Sequence, residues 1–314
     1  MKPPAILVPV RPPMTRIVEC VPNFSEGRRP EVLAAIVGAM RFDGVAVLDE
    51  EMDASHNRAV VSLAGEPGAL ARAAFEGVRA AAQAIDLRAH RGEHPRMGAC
   101  DVLPFVPVRG VEMAECVALA RQVAARIGEE LGIPAFLYGA AASRPERAEL
   151  PFVRNRQFEG LLGLVGKDPA FAPDFGPPRM HPSAGGVSVG ARFFLVAYNV
   201  NLRTPDVAVA KEIARKVREK DGGLPRVKAL GFSLAERSLS QVSMNLTDYR
   251  VTSVLRAYEA VEREARARGV EVVESEVVGL VPREALFEGI EERIRLERFD
   301  RRRQVVEDRL GIPA

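Results

Sequence analysis

The chain has 314 residues, 47% of them hydrophobic and 27% charged, with a formal net charge of +2. That length can build two compact domains with real cores, and the interspersed acids and bases leave no basic block to track a phosphate backbone, so nucleic acid is not an expected partner. No apolar run approaches the roughly 20 residues that span a bilayer, which makes the cytoplasm the expected location.

In chain order, residues 1–15 read as a disordered leader. Ala5 to Val10 is apolar but interrupted by proline, and it is shorter than a secretory core. Organised pattern begins at Ile17, which leaves Met14 as an alternative start to Met1. Ile17 to Pro22 reads as a short buried strand. Arg29 to Met40 has Val32, Leu33, Ile36, Val37 and Met40 at helical spacing, with Pro30 suited to a helix start. Val45 to Asp49 and Ala59 to Ala64 read as strands, and Pro67 to Ile85 as an Ala-rich helix. Val102 to Val108 is a strand that Pro104 and Pro107 demote to an edge or irregular position. A helix over Glu112 to Leu131 and a strand over Pro134 to Tyr138 follow.

Residues 139–191 are rich in Gly, Pro and Arg. A loop of that length is a linker or carries function. The pattern then restarts: strand Arg192 to Asn199, helix Asp206 to Glu219, strands Val227 to Leu234 and Ser240 to Asn245, helix Thr252 to Arg268, strand Val270 to Val278. Each half therefore repeats strand-helix-strand-strand-helix-strand, the split βαβ unit. The predicted fold class is α+β: two ferredoxin-like α/β sandwich subdomains, each a sheet covered by helices on one face, with a ligand cleft between them. Arg283 to Leu310 is predicted as one or two charged amphipathic helices, solvated or facing a second copy.

Cys20, Cys100 and Cys116 are odd in number and have no metal-ligand spacing, so buried reduced thiols are expected. Of the four histidines, His56, His90, His94 and His181, three sit in polar loops. His94 lies in the run from Arg91 to Gly98, where Gly92 and Gly98 permit unusual backbone angles and Pro95 stiffens the loop. An imidazole there can take and give a proton near neutrality; a charged surface loop accounts for it equally well. His56 lies in Asp53 to Arg58, whose Asp, Asn and Arg suit either a polar ligand or a turn. The stretch Gly176 to Gly185 is stiff enough for backbone groups to approach a flat heterocycle, or it is a linker. Gly185 to Gly190 precedes a strand, so it is not a dinucleotide fingerprint. Asn199 and Asn201 share one strand face, and Asn245 sits at another strand end.

Several long stretches, in order, resemble the formiminotransferase family: Val18 to Gly27, Arg91 to Asp101, Pro173 to Gly185, Gly190 to Leu202, Gln241 to Asp248 and Val278 to Pro282. The resemblance covers nearly all the chain after the leader. It implies two α/β subdomains around a ligand tunnel, as a homodimer. The first would span residues 16–190, including a Gly/Pro-rich folate-binding linker at 173–190, and the second residues 191–314. It also implies transfer of a formimino group from N-formimino-L-glutamate to N5 of tetrahydrofolate, with tetrahydrofolate as co-substrate and no metal. On the matching motif it makes His94 the catalytic residue and assigns folate binding to Gly176, Pro177, Pro178, Arg179, Met180, His181, Pro182, Ser183, Ala184 and Gly185. Arg179 and His181 make this stretch more basic than in animal members. Around the reacting carbon, Asp53, Asn57, Arg58 and Arg96 are the expected substrate-binding residues. Animal members carry a fused cyclodeaminase; here that step is expected of a separate protein. The competing expectations are formyl transfer between glutamate and folate, and a folate-binding protein without turnover.

Overall fold

The structure is a computed structural model that describes residues 15–93 and 95–312. His94, and the leader with its choice of start, lie outside the described residues apart from Thr15. Eleven strands form two sheets among the described residues.

The first sheet begins with β1 (Ile17–Cys20) and β2 (Asn23–Phe24), which lie in line between the same two neighbours. Those neighbours are β4 (Arg58–Gly65) and β5 (Cys100–Arg109), both antiparallel to β1, while β3 (Val45–Asp53) is hairpinned to β4. The order β3-β4-β1-β5 is that of the expected split βαβ core. Two parallel strands extend it: β7 (Val187–Ala191) runs beside β5, and β6 (Ala135–Gly139) beside β7. Helices α1 (Pro30–Ala39), α2 (Pro67–Ala84) and α3 (Met113–Glu130) share one hydrophobic core with this sheet. Alternation along β1 sends Val18 and Cys20 into that core and Ile17 and Glu19 to the opposite face.

The second sheet has the order β11-β8-β10-β9, fully antiparallel. Its strands are β8 (Val196–Leu202), β9 (Val227–Leu234), β10 (Leu239–Leu246) and β11 (Val272–Val278). Helices α6 (Val207–Val217) and α7 (Val254–Arg266) bury Ala210, Ile213, Tyr258 and Val261 against Tyr198, Val200, Val242 and Met244. Asp206 and Ser253 cap these helices by accepting from Ala208 N and Arg256 N. The α+β class, with helices covering each sheet, is thus observed. All three cysteines are buried and free. Among the described residues, no helix is long and apolar enough to cross a membrane.

Four expectations are corrected. Residues 139–191 are not one loop: they hold α4 (Pro151–Arg154), α5 (Gln157–Leu164) and β7. The strand expected at Arg192 starts at Val196 instead: β7 of the first sheet ends at Ala191, and residues 192–195 cross from one sheet to the other outside any strand. The proline-bearing β5 is central rather than an edge. Its register with β1 and β2 (Phe105 with Cys20, Val102 with Asn23) sets Pro104 against the break between those strands, and its pairing with β7 ends at Phe105, short of Pro107. A missing N–H therefore costs no ladder bond at either site. Finally, the charged tail breaks into α8 (Ile290–Arg293), α9 (Arg301–Gln304) and α10 (Val306–Arg309). Arg295 and Arg298 take left-handed backbone angles that stop a continuous helix. Its residues Ile290, Ile294, Val305 and Val306 join the second core together with Leu48, Ala64 and Val106 of the first sheet, so the tail is packed rather than solvated.

Candidate active site

The β3–β4 hairpin turns through Ala54 to Asn57, and Asn57 adopts a left-handed conformation (φ 48°) that Asn tolerates better than most residues. Asp53 braces this turn. Its Oδ1 accepts from His56 N at 2.8 Å, and its Oδ2 lies 2.6 Å from His56 Nδ1. These bonds from His56 hold the Asp53 carboxyl below its usual range. Asn57 ties three segments together. Its side-chain oxygen accepts from Gly27 N and its amide donates to Arg91 O, both at 2.9 Å. Its main-chain carbonyl lies 2.9 Å from His90 Nε2.

The segment that flanks His94 lies directly over this turn. A Cβ on Gly92 would collide with the His56 carbonyl, so glycine is what lets the two segments approach. Asp53, His56, Arg58, Glu93 and Pro95 line one cavity of about 330 Å³. Beneath it, Asn23, Ser25, His90, Arg96 and Asp101 join Arg58 around a space of about 10 Å³, room for one water. Arg58 donates to Asn23 Oδ1, and its Nε is buried without a hydrogen-bond partner. Burial, with Arg154 nearby, holds Arg58 below its ordinary value.

Arg96 is differently placed. Its guanidinium meets both oxygens of Glu159 on α5, at 2.7 and 2.6 Å, and its Nε donates to His90 Nδ1 at 3.2 Å. Asp101 closes the far end of the segment: Met97 N and Arg154 Nε donate to it at 2.7 and 2.6 Å. Burial raises the Asp101 carboxyl against the pull of Arg154.

The third stretch reaches the same segment from the other side. Gly98 bridges to Gly185, Ala99 N donates to Ala184 O and Gly186 N donates to Met97 O, both at 2.9 Å. His181 and Gly185 pair through their backbones, and His181 Nδ1 accepts from Ala184 N at 3.0 Å, which places that ring's proton on Nε2. Gly176, Pro178, Arg179 and Pro182 are exposed, Pro177 and Ser183 are half-buried, and Met180 and Ala184 sit in the first core.

Against this geometry the comparisons with known proteins fall into place. Residues 17–192 match the N-terminal subdomain of the formiminotransferase domain, and residues 197–308 match the formiminotransferase domain. The chain belongs to the formiminotransferase family. It is 50% identical over 287 residues to a glutamate formimidoyltransferase of Thermoplasma acidophilum, covering 90% of this chain and 94% of that one. A Streptococcus pyogenes glutamate formimidoyltransferase is 46% identical over 299 residues, at 95% and 99% coverage. The formimidoyltransferase-cyclodeaminase of Rattus norvegicus is 43% identical over 310 residues, and the match spans 95% of this chain and 57% of that protein.

Of the expected substrate-binding residues, this formiminotransferase-family structure brings Asp53, Asn57, Arg58 and Arg96 within one neighbourhood, but in unequal roles. Asp53 and Arg58 line the cavity, while Asn57 and Arg96 are occupied in holding the protein to itself. Sequence reasoning gave no role to Asn23, His90, Asp101, Arg154 or Glu159. The runs Val18 to Gly27 and Arg91 to Asp101 carried a signal, for Asn23 and Asp101; the others come from chain-distant contacts.

Proposed function

We propose that this family member is a glutamate formimidoyltransferase, which moves the formimino group of N-formimino-L-glutamate to N5 of tetrahydrofolate and releases L-glutamate. The observation that supports it best is the convergence of the Asp53–Arg58 turn and the His94-bearing segment on one cavity. Relatives named for that activity, similar over nearly their whole length, point the same way.

In this reading N5 attacks the electrophilic formimino carbon, forming an N–C bond and losing a proton. The bond from that carbon to the glutamate nitrogen then breaks, and that nitrogen gains a proton. His94 carries the proton between the two nitrogens, as base and then acid. The ionised Asp53 stabilises the cationic amidine intermediate. Arg58, which lines the cavity, takes a substrate carboxylate. The stretch Gly176 to Gly185, zipped to residues 97–99, presents its exposed backbone and the His181 Nε2–H to the pterin. No step calls for a metal. The enzyme works in the cytoplasm in histidine breakdown, as a homodimer of two-subdomain chains (16–190 and 191–314).

The test is to incubate the protein with tetrahydrofolate and formiminoglutamate and follow product absorbance. His94→Ala is expected to lose roughly 10²–10⁴-fold in turnover while remaining folded. Full activity in that variant rejects the assignment. Formylglutamate as sole active donor supports the formyl-transfer reading, and tight folate binding with no turnover supports a carrier.

A further inference from the structure

Both ring nitrogens of His90 are engaged by the protein. It is 7% exposed. Arg96 Nε always carries a proton, so its 3.2 Å contact makes Nδ1 of His90 an acceptor. The remaining proton must then sit on Nε2, where it is donated to the Asn57 carbonyl at 2.9 Å. One tautomer satisfies both contacts. An imidazolium would set an N–H at Nδ1 against the N–H of Arg96, breaking that bond.

The two contacts are the two ends of a clamp. Asn57 belongs to the turn carrying Asp53 and Arg58, and Arg96 follows His94 by two residues. Arg96 is held from behind by Glu159, and Asn57 grips Arg91 O through its amide. The segment 91–96 is therefore pinned at both ends, and His90 is the piece common to the turn and to the arginine.

We infer that His90 is a positioning residue for the transferase reaction: locked as the neutral Nε2–H tautomer, it fixes the distance between the Asp53–Arg58 turn and the segment bearing His94. It cannot itself serve as base, since neither ring nitrogen is left to reach substrate. This inference rests on the reading of His94 as the proton carrier. The charged groups around His90 are Arg96 and Arg91 on its own segment, Glu26 and Arg28 from the turn before α1, Arg58 and Asp101 across the small cavity, and Glu159 behind Arg96. Burial comes first and Arg96 adds to it in holding the ring below its ordinary value. His90 is thus neutral at neutral pH and charges only in acid.

The experiment compares the full-length wild type with His90→Ala, His90→Gln and His90→Asn. Glutamine can place a donor where Nε2 sits, and asparagine an acceptor where Nδ1 sits. In His90→Ala, kcat is expected to fall about 10²-fold with KM for both substrates within about threefold, since the loss is one of alignment. His90→Gln restores most of kcat, because it keeps the tie to Asn57. The acid limb of log kcat separates positioning from simple scaffolding. In the wild type it steepens from one proton to two as His90 charges; in His90→Gln it stays at one. Amide exchange over residues 91–97 speeds up in His90→Ala, and the ¹⁵N spectrum of the wild-type ring shows the Nε2–H tautomer. These last two readouts need no activity, so they decide the inference even if the wild type transfers nothing and the functional reading fails. Unchanged kcat in His90→Ala, or a protonated or Nδ1–H ring at neutral pH, overturns it. Should His90→Ala not fold, the glutamine variant's acid limb and the wild-type spectrum carry the same decision.

Discussion

Arg96 and Glu159, 63 positions apart, form a two-point pair in which an almost buried guanidinium (10% exposed) is held by a carboxylate that is 60% exposed. The geometry is the parallel fork that favours arginine over lysine. It fastens the segment after His94 to α5, inside a stretch whose composition alone suggests only loop.

Glu159→Gln follows directly. It leaves one oxygen to accept from Arg96, so the fork becomes a single contact. Thermal stability is expected to change little, because a pair with one open partner contributes about 1 kcal/mol or less. Turnover is expected to drop about tenfold through misplacement of the segment. Steady-state kinetics decide the role of Arg96. If it anchors the segment, KM for formiminoglutamate stays constant; if it binds a substrate carboxylate, freeing it from Glu159 lowers that KM.

The hydrophobic pattern carried most of this fold, for a physical reason. Helices α1, α2, α3, α6 and α7 bury one face each and the strands of both split βαβ units are short apolar runs, β1 and β5 being buried on both faces; those patterns are written locally. What was not legible depends on distant pairing. Strand β7 is five residues of Val, Ser, Gly and Ala whose place is set by β5 and β6, some 50 to 85 positions away. Pro104 reads as an edge signal until one sees that β1 and β2 break opposite it. In the site, Asp53, Asn57 and Arg58 announce themselves as a polar turn, and only the chemistry expected of the chain, which needs Asp53, Arg58 and Arg96 around one substrate, brings them to residues 91–96. His90 and Glu159 carry no local mark, since they matter only through chain-distant partners, Asn57 for His90 and Arg96 for Glu159.

Gly185 supplies a second prediction. It holds a left-handed conformation (φ 73°), and an added Cβ would collide with the Met97 carbonyl. Gly185→Ala is expected to cost about 1–2 kcal/mol from the backbone alone, and to part the 181–186 turn from residues 97–99. Calorimetric titration with tetrahydrofolate should show affinity weakened about tenfold. Unchanged affinity removes this turn from the pterin site.

Glu19 predicts a dependence on pH. It is 2% exposed at the middle of the first sheet, and burial pushes its carboxyl up to about 7, with Arg192 opposing and Glu307 adding to the rise. The unfolded chain releases this proton near 4.5, so between about 4.5 and 7 the folded state holds more protons. Stability therefore falls as pH rises through that window, and above it the charged form costs about 3 kcal/mol. Glu19→Gln is expected to be more stable than wild type by about that amount at pH 8 and equal to it at pH 4. Urea unfolding at the two pH values measures the difference; equal gains at both contradict it.

Arg147 and Asp174 form the most buried ion pair described, at 2.7 Å with side chains 1% and 9% exposed. Asp174 also accepts from Leu137 N, and Arg147 donates to the Ala170 and Ala172 carbonyls. Asp174→Asn leaves a buried guanidinium without its counter-charge, so a loss of about 3–5 kcal/mol is expected in denaturant unfolding. The double variant that also replaces Arg147 with Met should recover part of it; a double variant no better than the single one shows that the backbone contacts of Arg147 dominate.

The parallel strand β7 has a further consequence for how the molecule is made. It is the last strand of the first sheet to be synthesised, yet it is inserted between β5 and β6, which precede it by about 50 residues or more. A nascent chain that has emerged only as far as α5 holds β5 and β6 without the strand that joins them, their facing ladder groups unpaired. The residues just before it, 181–186, carry the turn that closes on residues 97–99. Completion of the first sheet and docking of the 181–186 turn on residues 97–99 are therefore a single late event in the life of the chain, and long-range parallel pairing of this kind is slow.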